Sequence, residues 1–156
     1  MIKKYYGYSN SPIGILKIIT SDDAIISAIF VEQEKESTEE PQILKDAIKQ
    51  FDDYFKGTRK NFHIKCDIQG TKFQKTVWNT LIEIPYGLTI SYKELAIKIG
   101  NVKATRAVGN ANSKNIISII IPCHRVIGTD KSLTGYAGGI SRKKWLLEHE
   151  KVISMK

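Results

Sequence analysis

The sequence predicts a protein of the α/β (α+β) class, in which a small N-terminal β-hairpin and helix unit precedes a mostly helical C-terminal domain. Short β-branched runs lie near the start, apolar residues at helical spacing follow Pro41, and further helical stretches lie beyond Gly70. We place the boundary at Gly70, which gives units of residues 1–69 and 70–156. The length of 156 residues and the apolar content of 42% suit a globular chain with a real core.

The N-terminal elements follow from local patterns. The β-branched runs 14–19 and 24–30 flank the turn 20–23 and predict a hairpin, and 32–40 is polar and acidic enough to be a loop. Pro41 is suited to open a helix and Gly57 to stop it. Residues 62–66 could form one more strand. The apolar face of the predicted helix comprises Ile43, Leu44, Ala47, Ile48, Phe51, Tyr54 and Phe55.

The C-terminal half contains a candidate helix-turn-helix. An apolar stripe predicts a first helix that ends before Pro85, formed by Phe73, Val77, Leu81 and Ile82. Ser91 and Glu94 then have the spacing of a capping box, which starts another helix. Gly100 stops that helix, and a second one follows from about Lys103. An αα-hairpin that only packs would give the same pattern. A last helix begins near Ser141, with Trp145 and Leu146 on its core side.

Charge is unevenly distributed along the chain. The net charge is +8, yet residues 1–70 carry −1 and residues 71–156 carry +9. A concentrated basic half indicates a polyanion, most often nucleic acid, although a solvated lysine-rich surface is the alternative. The small-sided second helix could approach DNA closely. Its candidate DNA-binding residues are Lys103, Ala104, Thr105 and Arg106, and we add Arg125 to them.

Cys123 is the candidate nucleophile. It lies in the segment 122–126, Pro-Cys-His-Arg-Val, at the end of the apolar run 116–121, which we predict to be a buried strand. Nearby cationic groups lower the pKa of a thiol, although a structural cysteine is the alternative. Neighbours on a strand point to opposite faces, so His124 can serve Cys123 only through a bend at Pro122 or through a water. Glu150 is a candidate to orient His124.

Several segments together resemble one known family. These are the segments 84–87 (Ile-Pro-Tyr-Gly), 91–92 (Ser-Tyr), 106–109 (Arg-Ala-Val-Gly), 122–126 and 135–139 (Gly-Tyr-Ala-Gly-Gly). In order and spacing they closely resemble the O6-alkylguanine-DNA alkyltransferases, also called methylated-DNA–protein-cysteine methyltransferases. The resemblance is dense from about Gly70 to Glu150 and looser before it.

The resemblance implies a function and a set of roles. It implies a DNA repair protein that moves an alkyl group from O6-alkylguanine in double-stranded DNA irreversibly to Cys123, once per molecule and without a cofactor. His124, through a water, and Glu150 would keep the thiolate poised, and Asn115 would brace the turn. Arg106 would fill the gap left by the flipped nucleotide. Tyr92 would rotate the target phosphate and assist the leaving guanine. The implied substrate-binding positions are Val126, Tyr136, Ala137 and Lys143.

Some features limit or qualify this interpretation. Ile116 and Lys131 stand where many relatives carry proline and glycine. Relatives with an N-terminal zinc need four ligands, and Cys66, His63 and His149 do not supply them, so we predict no metal.

We expect a cytoplasmic monomer with no membrane association, since two cysteines make no disulfide framework and no apolar segment could span a bilayer. A lesion-binding module without transfer and a cysteine hydrolase are the alternatives.

Overall fold

The computed structural model describes residues 2–156, and the chain divides into two compact units with the boundary between Ile68 and Gln69. The observed architecture is a small three-stranded sheet with one helix, followed by a mostly helical unit, so the predicted fold class is confirmed. Among the described residues, no helix is both long enough and apolar enough to cross a membrane.

The first unit is an antiparallel meander covered by one helix. Strands β1 (Tyr5–Ser11), β2 (Gly14–Thr20) and β3 (Ile25–Val31) lie in the order β1-β2-β3. The hairpin of β2 and β3 was predicted, whereas β1 was missed because its sequence is polar and rich in small residues. Gly7 lets the helix approach β1, since a Cβ there would lie 2.8 Å from Ile48.

Helix α1 (Gln42–Lys56) has the predicted bounds and face. Pro41 occupies its N-cap, and Gly57 ends it in the left-handed conformation, with φ at 83°. Leu44, Ala47 and Phe51 are fully buried. The further strand suggested for 62–66 is not formed: a single isolated bridge joins Cys66 to Ile25.

The second unit begins with α2 (Lys72–Leu81), whose N-terminus carries a capping box of Thr71 and Gln74. Val77 and Leu81 are buried as predicted, but Phe73 and Ile82 are 37% and 47% exposed, so the buried stripe is narrower than the prediction. Two parallel two-residue strands, β4 (Ile90–Ser91) and β5 (Val126–Ile127), follow later in the chain.

The helix-turn-helix is formed by α3 (Tyr92–Lys98) and α4 (Thr105–Ser113), with a 3₁₀ turn (Val102–Ala104) before α4. The Ser91–Glu94 capping box is present, with both of its hydrogen bonds, and Gly100 adopts a φ of 84°. The last helix, α5 (Ile140–Ser154), buries Leu146, whereas Trp145 is only half-buried and stacks on His149.

The apolar run 116–121 is not a strand, and that prediction is wrong. The segment folds back on itself through one isolated bridge between Ser118 and Ile121. Ile119 turns the chain with a φ of 74°, a conformation that is rare for a β-branched residue. The side chains of Ile117, Ile119 and Ile121 are buried, as the apolar run predicts. Such a short run indicates burial, but it does not determine the backbone conformation.

Candidate active site

Two consecutive tight turns present Cys123. The Ile120 N–H donates to the Ser118 carbonyl at 2.8 Å, which closes a γ-turn around Ile119. The Cys123 N–H donates to the Ile121 carbonyl at 2.8 Å around Pro122, whose φ of −80° and ψ of 63° fit an inverse γ-turn. A 3₁₀ turn (Cys123–Arg125) follows directly. The bend expected at Pro122 therefore exists, and the three residues after it do not alternate as on a strand.

Two asparagines hold this turn from α4 and its end. Asn115 Nδ2 donates to the Ile121 carbonyl at 2.8 Å and to Cys123 Sγ at 3.2 Å. Its Oδ1 accepts from the Ile117 N–H at 3.0 Å. Asn112, a residue of α4, is fully buried and donates to the Cys123 carbonyl at 3.2 Å. Its role was not predicted, because nothing local distinguishes it from an exposed helical asparagine.

Cys123 itself is 4% exposed. Burial raises the pKa of its thiol, while the hydrogen bond from Asn115 and the positive charge of Lys143 act in the opposite direction. Burial thus favours the protonated thiol, whereas Asn115 and Lys143 favour the thiolate that we expected. A reaction through Cys123 needs an acceptor for its proton.

Glu150 from α5 joins the two residues that follow Cys123. His124 Nε2 lies 2.7 Å from Glu150 Oε2. Arg125 donates to the same carboxylate from Nε at 2.8 Å and from Nη2 at 3.1 Å. The Gly87 N–H donates to Glu150 Oε1 at 3.2 Å. The sequence suggested the His124–Glu150 pair, and the structure brings those two residues into contact.

Burial and the neighbouring polar groups act in opposite directions on the pKa values of Glu150 and His124. Burial alone would raise the pKa of the Glu150 carboxyl, but the interactions with His124 and Arg125 outweigh it and hold that pKa well below its usual range. Burial lowers the pKa of His124, against the attraction of Glu150. His124 is therefore neutral at neutral pH. Its Nδ1 is buried and has no hydrogen-bond partner among the described residues.

Tyr92 and Lys143 form a second cluster around the carbonyl of Thr134. The Tyr92 hydroxyl donates to that carbonyl at 2.7 Å, and Lys143 Nζ also donates to it at 2.7 Å. Lys143 Nζ bonds the Val126 carbonyl and lies 3.5 Å from the Tyr92 hydroxyl. Burial lowers the pKa of Lys143 to about 8, against the attraction of Cys123. This cluster ties the loop 128–139 to β5 and to α3.

The remaining predicted residues fall into separate places. Val126 and Tyr136 are buried, whereas Ala137 is exposed. Lys103, Ala104, Thr105 and Arg106 lie together at the start of α4, where Lys103 and Arg106 are exposed. Arg125 does not lie with them. It is 7% exposed and bonded internally, so the expectation that it contacts DNA is corrected.

No group of three or more His, Cys, Asp or Glu side chains that could hold a metal ion occurs in residues 2–156. The arrangement around Cys123 offers a nucleophile, a neutral imidazole and a fixed carboxylate, which together suit group transfer to sulfur. The fold and this site thus define a helix-turn-helix protein with a buried, hydrogen-bonded cysteine in a turn that follows its second helix.

Comparison with known proteins identifies the family. The model for the 6-O-methylguanine DNA methyltransferase DNA-binding domain matches residues 72–152, and the model for the ribonuclease-like domain of the same proteins matches residues 4–68. The chain belongs to the 6-O-methylguanine DNA methyltransferase family.

Relatives and solved structures agree over nearly the whole chain. A methylated-DNA–protein-cysteine methyltransferase of Methanosarcina acetivorans is 44% identical, with 94% of this chain and 97% of the relative covered. One from Mycobacterium tuberculosis is 45% identical, with coverage of 94% and 92%. The crystal structure of the Mycobacterium tuberculosis O6-methylguanine methyltransferase matches with a TM-score of 0.87 at 44% identity, over 96% of this chain and 94% of that one. A structure of the same protein in complex with DNA also gives 0.87, at 45% identity over 95% and 93%.

These similarities confirm the predicted family and the predicted enzyme class, a DNA repair protein that transfers a methyl group from DNA to a protein cysteine. The roles of individual residues are a separate question, which the geometry around Cys123 addresses.

Proposed function

We propose that Cys123 accepts the alkyl group of O6-alkylguanine in duplex DNA, once per molecule. The observation that carries this proposal is the hydrogen bond from Asn115 Nδ2 to Cys123 Sγ at 3.2 Å, made to a thiol that directly precedes the His124–Glu150 pair. Cys66 has no comparable setting: burial raises the pKa of its thiol to about 11, and its hydrogen-bond contact is to the Ile64 carbonyl.

The chemistry is an in-line displacement at carbon. The thiol proton passes to His124 Nδ1, directly or through a bridging water, and the sulfur forms a bond to the alkyl carbon as the bond from that carbon to guanine O6 breaks. Glu150 stabilises the imidazolium that results, as the buried carboxylate does in a hydrolase triad. Guanine leaves with the electron pair and needs a proton or hydrogen bond on its ring. The thioether that remains has no easy route back to the thiol.

Tyr92 is our candidate to supply that hydrogen bond. In the resting protein its hydroxyl donates to the Thr134 carbonyl, so assistance to guanine requires an exchange of partner. Lys143 already bonds the same carbonyl at 2.7 Å and can continue to satisfy it after the exchange. Val126, Tyr136 and Ala137 are the candidate walls of the guanine pocket.

Access to the alkyl carbon requires the nucleotide to leave the base stack, because the group is enclosed inside a duplex. Arg106 is exposed at the start of α4 and is our candidate to fill the gap, with Lys103, Ala104 and Thr105 beside the backbone. We propose that the protein works as a monomer, and that the free thiols Cys66 and Cys123 place it in the reducing cytoplasm.

Intact-mass analysis after incubation with O6-methylguanine duplex tests this function. We expect one added methyl group per chain, on the peptide that contains Cys123, with no metal or nucleotide present. Cys123→Ser should remove the modification and Cys66→Ser should leave it unchanged. Repeated turnover, or a methyl group on Cys66, would contradict the proposal.

A further inference from the structure

Arg125 has an environment that neither DNA binding nor core packing explains. Its guanidinium is almost completely buried and uses three nitrogens at once. Nε and Nη2 bond the two oxygens of Glu150, and Nη1 donates to the Ile84 carbonyl at 2.7 Å. Its charge also lies 5.6 Å from the centre of the Tyr86 ring. A guanidinium with this many fixed partners is oriented to within a narrow range, which a lysine could not reproduce.

The two hydrogen bonds from Arg125 determine the protonation state of Glu150. A buried carboxyl without a cationic partner takes up a proton, since burial penalises its charged form. With Arg125 on both oxygens and the Gly87 N–H on one of them, Glu150 is stabilised as a carboxylate. A carboxylate has no hydrogen to donate. The atom that faces it across 2.7 Å, His124 Nε2, must therefore carry the hydrogen of that contact.

The other imidazole nitrogen is fixed as a consequence. Neutral imidazole carries one hydrogen, so a hydrogen on Nε2 leaves Nδ1 with a free lone pair. Nδ1 is the buried atom that lacks a partner among the described residues, which is where a base would wait for a thiol proton. If Glu150 were protonated, it would donate to Nε2 and the hydrogen would move to Nδ1, where it would block that function.

We propose that Arg125 is a positioning residue of alkyl transfer: it keeps Glu150 a carboxylate, and Glu150 in turn keeps His124 Nδ1 free to accept the proton of Cys123. The proposal rests on Cys123 as the acceptor, as argued above. It assigns the arginine of the segment 122–126 to the catalytic cluster instead of to the DNA.

Other ionisable groups around the pair act on it too. Lys143, like Arg125, opposes a positive charge on His124. The charge of Glu150 is felt by Tyr86 and Tyr136, and both phenols keep their protons at neutral pH because burial raises their pKa. Arg125 and His124 bond directly to the Glu150 side chain. Arg125 is thus the cation whose removal changes the carboxylate directly.

NMR of the imidazole nitrogens tests the proposal without any reaction. The wild-type protein should show His124 with its hydrogen on Nε2 and a bare Nδ1. In Arg125→Met, Nδ1 should gain a hydrogen, either as the other neutral tautomer or as imidazolium. Arg125→Gln, which also removes the positive charge, serves if the methionine variant does not fold. Lys144→Met, which removes an exposed charge from α5, should keep the wild-type signal. An unprotonated Nδ1 in a folded Arg125 variant overturns the proposal.

Kinetics supply the second readout. Arg125→Met should lower the rate of methyl transfer at pH 7 by about 10- to 100-fold, as large a loss as follows from replacing a residue that orients a metal ligand. The acid limb of its pH–rate profile should move to higher pH. In a Glu150→Gln background, Arg125→Met should lower the transfer rate little further, because the carboxylate on which Arg125 acts is already absent. Equal losses in both backgrounds, with an unshifted profile, mean a purely structural arginine. If wild type fails to modify Cys123, the proposed function fails, and the NMR result still decides the role of Arg125.

Discussion

Lys131 occupies a backbone conformation that a lysine seldom adopts. Its φ is 68°, in the turn closed by a bond from its N–H to the Gly128 carbonyl at 2.8 Å. The left-handed region crowds Cβ against the backbone and costs a non-glycine residue about 1–2 kcal/mol. This explains why glycine is frequent here in the proteins that the sequence resembles.

Lys131→Gly should therefore stabilise the protein. We expect a gain of about 0.5–1 kcal/mol in the free energy of unfolding, since the relief of strain exceeds the added flexibility of the unfolded chain. Denaturant unfolding measures it. Lys131→Ala removes the same charge but keeps Cβ, so it should show no such gain. A gain of equal size in both variants would trace the effect to charge and not to the backbone.

Glu150 should make the protein sensitive to acid. Its pKa in the folded protein lies below that of the unfolded chain, so the unfolded state binds the proton first as the pH falls. The stabilisation is complete above about pH 5 and decreases below it, since an unperturbed Glu titrates near 4.3. His124 titrates in the same range, so the comparison is made in a His124→Gln background, where the parent should lose more unfolding free energy between pH 7 and 4 than its Glu150→Gln variant. Thermal unfolding across that range checks it, and parallel curves would contradict it.

At the level of single residues, the sequence predicted chemistry better than contacts. Cys123, His124, Asn115 and Glu150 were all named, because their types suit the reaction and the resemblance supplied the roles. We assigned Arg125 to DNA binding because the sequence reveals the charge of a residue but not its burial. Its partner lies 25 residues away on α5, and no local pattern reports that contact.

At the level of elements, strong local signals were sufficient where they existed. Helix α1 and the start of α3 were predicted from a proline, a glycine and a capping box, each of which acts within its own segment. The prediction of a strand for 116–121 was wrong because Asn115 and two γ-turns determine the conformation of this segment, and apolar periodicity does not.

Gly135 tests how tightly the loop 128–139 holds Tyr92. Its φ is 67°, and a Cβ there would lie 2.7 Å from the Tyr92 hydroxyl. Gly135→Ala should slow transfer from the free alkylguanine base, because Tyr92 must shift. Gly100→Ala introduces a methyl at a similar φ of 84° with no atom within 4 Å, so it pays only the backbone strain. Equal rates for the two variants would show that the position of Tyr92 is immaterial.

Arg106 on α4 should matter only when a base has to be flipped. Arg106→Ala should slow repair of methylated duplex far more than reaction with free alkylguanine base. Each lost phosphate contact should also reduce the slope of log affinity against log salt by about 0.9. Lys144→Ala removes the same charge from exposed α5 and should leave the ratio of the two rates unchanged. Equal losses on both substrates would remove Arg106 from the flipping step.

At the level of the whole molecule, alkylation should lower stability. A thioether is a poor acceptor for Asn115 Nδ2, and an unsatisfied buried donor costs about 1–3 kcal/mol. Extra volume in a packed region adds strain of about 1–3 kcal/mol. We expect a midpoint of thermal unfolding several degrees lower after methylation, and lower again after benzylation.

Melting curves of free, methylated and benzylated protein at one pH measure this effect. Cys123→Ser treated in the same way is the control, and its midpoint should not move. An equal or higher midpoint after alkylation would show that the turn around Cys123 accommodates the group without cost.

The seclusion of Cys123 also bears on how long an unused molecule stays competent. Under the proposed single turnover, any bystander oxidant or stray electrophile that reaches the sulfur removes one molecule from the cell's repair capacity. Such reagents attack thiolates that solvent can reach, and Cys123 is 4% exposed with a pKa raised by burial. A slow, shielded thiol is a disadvantage in an ordinary catalyst. In a protein that reacts once, it prolongs the time for which an unused molecule stays able to react, because the sulfur remains unmodified until a damaged base reaches it.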